Sequence, residues 1–312
     1  MTHPNVVHVN HGDPVRRGKA KLLNDALGHA SASGPMEPTI LRARGTLRAV
    51  KLARLEELAR AAAEASDRAR AEILPRFRRV AVERKQDGSP VTEADRAAER
   101  VIRATLREAL PEASILGEEY GDEVGKEGAL QWVVDPIDGT IAFSRGIPLF
   151  GTLLALLEDG EPILGLIDLP ALGERTLAVR GGGCRRNGEL VRASQERDLG
   201  RALISHGDLF CFERAGERAA FERMTREIAM LRGYTDAFGH AQVCAGAVDA
   251  MVDLDLHVWD MAPTRICVTE AGGKVFVTPP RNGKAGLVFG SPALVDQLVG
   301  FLSGRGAREG GS

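Results

Sequence analysis

The chain has 312 residues, 44% hydrophobic and 27% charged, with 41 basic and 43 acidic side chains and a formal net charge of −2. Such a composition belongs to a globular protein of one large or two ordinary domains, and its balanced charge speaks against a general nucleic-acid or membrane binder. Cys184, Cys211, Cys244 and Cys267 form no CxxC pair, which argues against a zinc site or a disulfide framework, and no apolar run approaches the roughly 18 residues of a membrane span. With no signal core evident, the expected setting is the cytoplasm.

Residues 1–45 carry scattered His, Gly, Pro and Ser, a short basic run RRGKAK and no sustained periodicity, which predicts a loosely ordered extension; His3, His8 and His11 would bind a metal only weakly. From Leu47, LRAVKLARLEELARAAAEASDRARAEIL places apolar residues at helical spacing up to Pro75. TEADRAAERVIRATLREAL predicts a second helix from Thr92 to Leu110, stopped by Pro111. Strand-like runs follow: SILG, LQWVV, GTLLALL, ILGLIDL and RTLAV. GGGCRRNG then reads as a turn between strands, glycine-rich but not a phosphate loop. Beyond residue 200, RALISH predicts a strand, Glu213 to Leu231 a helix and FGHAQVCAGAVDAMV a small-residue helix, before helix and strand alternate as far as GLVFGS. The expected organisation is the extension, an α+β half over 46–198, an α/β half over 199–302 and a flexible tail over 303–312.

The stretch WVVDPIDGTIAFSRG sets two carboxylates, Asp135 and Asp138, beyond an apolar strand. Pro136 lacks a ladder donor and forces Asp135 into an extended conformation, so the chain is expected to leave the sheet there. Gly139 permits a tight turn, and Thr140 can open a helix whose free N–H groups face the same space. Acids beside a helix N-terminus would hold hard cations and a phosphate together. Taken alone, Asp135 as a turn-former and Asp138 as a helix cap account for the motif equally well. Three further sites share the pattern. ILGEEYG places Glu118 and Glu119 after an apolar run, SPVTEAD gives Asp95 in a capping box with Thr92, and LHVWDMAP puts Asp260 ahead of a helix start. Each has a local explanation, but their recurrence at strand-to-helix junctions points to one shared cause.

At these residues the sequence resembles the inositol monophosphatase family of metal-dependent phosphatases. GSPVTEAD, GEE, WVVDPIDGT and WDMAP…EAGG stand in the family's order and spacing, over about residues 48 to 302. The resemblance implies a layered αβαβα sandwich with the site between two halves. It implies two to three Mg²⁺ ions: one on Glu118, Asp135 and the Ile137 carbonyl, a second on Asp135, Asp138 and Asp260, and a weaker third near Glu118 and Asp95. All-oxygen ligation of this kind suits Mg²⁺. By the same resemblance Asp95, Thr140 and Glu118 are catalytic, with Asp95 and Thr140 taking a proton from the attacking water. The Gly139 and Thr140 amides would grip the phosphate, and attack would be direct and in line. Lys85, ten residues before Asp95, is read either as a nearby positive charge or as a solvated surface lysine. The family suggests a homodimer whose partner is a small phosphate ester.

For the ester, two features favour L-histidinol phosphate. DPIDGTIAFSRGIPLFGTLLAL is similar to the histidinol-phosphatase branch, and Asp236 in GYTDAFGH stands where the inositol-cleaving branch has a small residue beside the sugar ring. An acid there suits an amine or imidazolium; the alternative account of Asp236 is a helix cap ahead of AFGHAQV. Asp253 stands where the family usually has Glu, and is assigned with Asp236 and Asp260 to the substrate. Asp255 replaces the family's usual Gly. His240 and His257 are read as structural. The alternatives are an inositol-1-phosphate phosphatase and a non-catalytic regulatory homologue; the latter would be expected to lack a carboxylate, and none is missing.

Overall fold

The computed structural model describes residues 38–302 except 86–87, 89 and 126–129, with side chains from Leu52 onwards. The rest of the expected N-terminal extension, with His3, His8 and His11, and the tail over 303–312 lie outside the described residues.

Helix α1 (Pro38–Ile73) begins upstream of the sustained apolar pattern at Leu47, opened by a proline whose missing N–H costs a first turn nothing. Two-residue strands β1 (Glu83–Arg84) and β2 (Pro90–Val91) pair ahead of α2 (Glu93–Ala109). Then come β3 (Ser114–Gly117), β4 (Gly121–Glu123), β5 (Leu130–Asp138), the short α3 (Thr140–Ser144), β6 (Gly151–Glu158), β7 (Glu161–Leu169), β8 (Glu174–Val179), β9 (Gly183–Arg186) and β10 (Glu189–Leu190). They form an eight-stranded sheet ordered β10-β9-β8-β7-β6-β5-β3-β4, antiparallel except where β3 and β5 run parallel. The glycine-rich stretch expected as a single turn contains β9, with turns only at its two ends.

A second sheet collects β11 (Leu203–His206), β12 (Met230–Arg232), β13 (Ala250–Leu256), β14 (Lys274–Val277) and β15 (Ala285–Gly290) in the order β12-β11-β13-β15-β14. Helices α4 (Leu209–Ala215), α5 (Arg218–Glu227), α6 (Asp236–Cys244), α7 (Val258–Glu270) and α8 (Pro292–Val299) belong to the same half. Two expected helices are shorter than predicted. The one over Glu213–Leu231 is split by Gly216 at φ +74°, and its end turns into β12. The small-residue helix stops at Cys244 because Gly246 turns at φ +72°, which frees the apolar AMV for β13.

Three large apolar cores stack these elements, and a small fourth sets Val133, Ala155 and Leu157 against Ala262. α1 and α2 cover one face of the large sheet, around Ile102, Leu106, Trp132 and Leu154. α6 and α7 fill the space between the two sheets, with Leu153, Ile167, Val243 and Phe289. α4, α5 and α8 cover the outer face of the small sheet, with Phe212, Met224 and Leu294. The layers therefore run αβαβα, as expected.

Candidate metal centre and active site

Strand pairing decides which acids meet. Because β3 and β5 are parallel neighbours with Gly117 opposite Val134, both chains leave the sheet at the same edge, and Glu118 N–H donates to the Val134 carbonyl at 3.1 Å. This places Glu118 beside Asp135. The sheet does not end at Asp135, as expected from Pro136. A register shift lets β5 continue to Asp138, opposite Gly151. The proline sits inside that irregularity, where no ladder donor is needed, and its carbonyl accepts a bond from Thr152 Oγ1 at 2.8 Å. The bulge brings Asp135 and Asp138 to the same side.

Asp260 arrives from the first turn of α7. Asp135, Asp138 and Asp260 each present a carboxylate oxygen within 4.8 Å of the others. Asp135 is buried and its two companions are partly exposed. Burial raises the pKa of all three well above the usual carboxylate range, and mutual repulsion adds to it: Glu118, Asp138 and Asp260 act on Asp135, Asp236 most strongly on Asp138, and Glu118 most strongly on Asp260. Several partial satisfactions oppose the shift. Ile137 N–H donates to Asp135 Oδ1 at 3.0 Å, the Ala237 amide at the start of α6 donates to Asp138, and His257 N–H donates to Asp260 Oδ2 at 2.7 Å. The turn-forming and capping accounts of these acids are thus correct locally, yet they leave the crowding of negative charge unexplained. Crowded hard oxygen donors fit a divalent cation such as Mg²⁺.

Around this cluster, Gly139 turns at φ +83°, and a Cβ there would meet the Leu149 carbonyl at 3.1 Å and Asp236 Oδ2 at 3.3 Å. Thr140 opens α3, and its hydroxyl donates to the Ile137 carbonyl at 3.0 Å and lies 3.5 Å from Asp95 Oδ1. Asp95 itself is held by Thr92, whose N–H and hydroxyl both donate to Oδ2. Burial pushes Asp95 up to about 6, with Thr92 opposing and Glu118 adding to the shift. Lys85 is no solvated surface lysine: its Nζ donates to Glu118 and Glu119 at 2.7 Å each. Burial pushes Glu119 up to about 7 despite the bond from Lys85.

Asp236 and Asp253 form a second acidic wall. Asp236 occupies the left-handed region at φ +56°, and Thr235, rather than Asp236, stands as the residue ahead of α6. Burial first, and then Asp253, push Asp236 up to about 6. Asp253 Oδ2 bonds His240 Nε2 at 3.1 Å, and His240 Nδ1 bonds Thr264 Oγ1 at 2.7 Å in a fully buried chain. His240 is thereby fixed within the core, and His257 precedes α7 and stacks on Trp259 at 4.5 Å. Asp255 lies at φ +60° beside a bulge and pairs with Arg214 and Lys284 at the rim of a cavity of about 200 Å³. The left-handed backbone suits the family's usual glycine, and the Asp255 side chain adds the pairs with Arg214 and Lys284.

Sequence reading missed the buried pair Glu99–Arg103 behind Glu118. The signal was the spacing of Asp95, Glu99 and Arg103 at every fourth residue of α2, which puts all three on one helical face.

The inositol monophosphatase family matches residues 54–295. A histidinol-phosphatase of Streptomyces coelicolor is 39% identical over 77% of this chain and 94% of its own length. One from Mycobacterium tuberculosis is 39% identical over 65% of this chain and 82% of its own. A fructose-1,6-bisphosphatase/inositol-1-monophosphatase of Thermotoga maritima is 37% identical over 67% and 80% respectively. Among solved structures, the extragenic suppressor protein suhB of Bartonella henselae superposes with a TM-score of 0.73 at 28% identity, covering 79% of this chain and 98% of that one.

Proposed function

This chain belongs to the inositol monophosphatase family and is a phosphoric monoester hydrolase; from that premise we propose that it is Mg²⁺-dependent and acts on L-histidinol phosphate. The carrying observation is the convergence of Asp135, Asp138 and Asp260 within 4.8 Å, next to the Asp95–Thr140 pair. Divalent cations held there by these acids, Glu118 and the Ile137 carbonyl would offset the charge of the ester, acidify a water and stabilise the departing alkoxide.

The chain's own groups supply the remaining chemistry. A pKa of about 6 leaves Asp95 largely ionised at neutral pH but basic enough to receive a proton, and Thr140 Oγ1 lies 3.5 Å from it and 3.0 Å from the Ile137 carbonyl. The Gly139 and Thr140 amides precede the first intrahelical bond of α3, from Phe143 N–H to the Gly139 carbonyl, and so remain available for phosphate oxygens. Lys85 fixes Glu118 and Glu119 and balances part of their charge.

Asp236 and Asp253 support a cationic leaving group. Closely set carboxylates, Asp253 buried and Asp236 partly so, gain most from an ammonium or imidazolium and little from neutral hydroxyls. The relatives named histidinol-phosphatase point the same way, while the Thermotoga maritima relative favours inositol-1-phosphate as the second reading. Assaying the two esters side by side with Mg²⁺ decides between them. A preference of at least about tenfold in kcat/KM for L-histidinol phosphate is expected, shrinking markedly in Asp236→Ala. Preference for the inositol ester would replace the substrate assignment, and failure to hydrolyse any of a panel of phosphomonoesters with Mg²⁺ would revive the non-catalytic reading.

A further inference from the structure

Helix α2 carries a polar stripe where an amphipathic helix should bury only apolar groups. Asp95, Glu99 and Arg103 follow one another at four-residue steps and are 1%, 0% and 7% exposed. Asp95 belongs to the candidate active site; Glu99 and Arg103 do not reach it. A buried carboxylate and guanidinium are costly to desolvate, and an apolar pair of similar volume often serves stability as well. What distinguishes this pair is what it grips.

Glu99 Oε2 accepts from Glu119 N–H at 2.8 Å and Oε1 from Tyr120 N–H at 3.2 Å. Arg103 Nε donates to Glu99 Oε1 at 2.7 Å, while Nη2 donates to the Gly121 carbonyl at 2.5 Å and Nη1 to the Ile115 carbonyl at 3.4 Å. Two side chains therefore bind the peptide groups immediately after Glu118, as well as the strand leading to it. Gly117 shows how tight the fit is: a Cβ at that position would stand 2.0 Å from Glu99 Oε1. Together with the bond from Glu118 N–H to Val134, these contacts leave the backbone of Glu118 little room to turn.

We propose that Glu99, braced by Arg103, is a positioning residue that fixes Glu118 for divalent-cation binding and thereby sets metal affinity. The inference rests on Glu118 serving as a ligand. The glutamine side chain in Glu99→Gln has one acceptor for two amides, turns a donor toward the other and loses the ion pair with Arg103, so the turn after Glu118 should loosen.

Tb³⁺, a hard cation with oxygen preference, can be titrated by luminescence sensitised through Trp259, the neighbour of Asp260. Glu99→Gln is expected to weaken Tb³⁺ binding by about tenfold or more and to raise the Mg²⁺ concentration for half-maximal activity in parallel, while kcat at saturating Mg²⁺ stays within about threefold. Ile102→Val, a core variant on the same helix, controls for lost stability and should leave the Tb³⁺ affinity unchanged. A folded Glu99→Gln protein that binds Tb³⁺ like its parent overturns the inference, and so does an equal loss in Ile102→Val. Should Glu99→Gln not fold, Arg103→Lys, whose single amine cannot reproduce the guanidinium's separate bonds to Glu99, Gly121 and Ile115, is judged by the same criterion. A parent protein that binds neither Tb³⁺ nor Mg²⁺ would instead overturn the metal-centre reading beneath it.

Discussion

Asp138 carries the sharpest conflict between stability and chemistry at the scale of a residue. Burial and the charges of Asp236, Asp260 and Asp253 all disfavour its ionised form, against which stands the bond from the Ala237 amide. Replacing it by a neutral amide of the same shape removes the repulsion while keeping an acceptor for Ala237. Asp138→Asn should therefore melt no lower than the parent in EDTA, and activity with Mg²⁺ should fall by about 10²-fold or more. Calorimetry and a phosphate-release assay check both halves; a variant that is inactive because it melts well below the parent would mean the acid is structural. The acids themselves were legible in the sequence, since DPIDGT, GEE and WD each announce a carboxylate beyond an apolar run. Lys85 was not: a lone lysine in a polar loop has no pattern, and only the fold sets its amine against Glu118 and Glu119.

Elements place these residues, and close backbone approach is how α7 delivers Asp260. At Gly165 on β7, an added Cβ would lie 2.4 Å from Ile266 Cγ2 and 2.6 Å from the Pro263 carbonyl, both on α7. Gly165→Ala must push the helix away. A loss of about 1–3 kcal/mol in urea unfolding is expected, with reduced kcat/KM because Asp260 moves with its helix. Unchanged stability would show that α7 has room to spare and that Asp260 is placed by other contacts. Strands with continuous apolar runs were readable in the sequence, β6 and β7 above all, because nothing but burial between helices on both faces accounts for them. The breaks were harder. Gly216 and Gly246 end helices by adopting positive φ, whereas Gly165 within β7 and Gly239 within α6 do not, and apolar periodicity cannot tell the two kinds apart. The bulge that carries β5 past Pro136 depends on partners in β6, which sequence alone does not supply.

In the whole molecule, acids from both halves meet where the two sheets converge on α6 and α7, so metal binding and folding should be linked. Asp135, Asp138 and Asp260 have folded-state pKa values raised above the unfolded value of about 3.9. The folded protein then holds more protons than the unfolded chain between those values. Without cations, its stability is highest below the unfolded pKa and falls as pH rises through the folded ones. A bound divalent cation takes the place of those protons, so its stabilisation should grow with pH. At about 100 times Kd it contributes about 2.7 kcal/mol, or roughly 5 °C in Tm for a chain of this size. The expected result is a clear Mg²⁺-dependent rise in Tm near pH 8, and a smaller one near pH 5, where protons compete more strongly for the cluster. An equal rise at both would mean that the cation binds elsewhere, and no rise at either that the acids hold no metal.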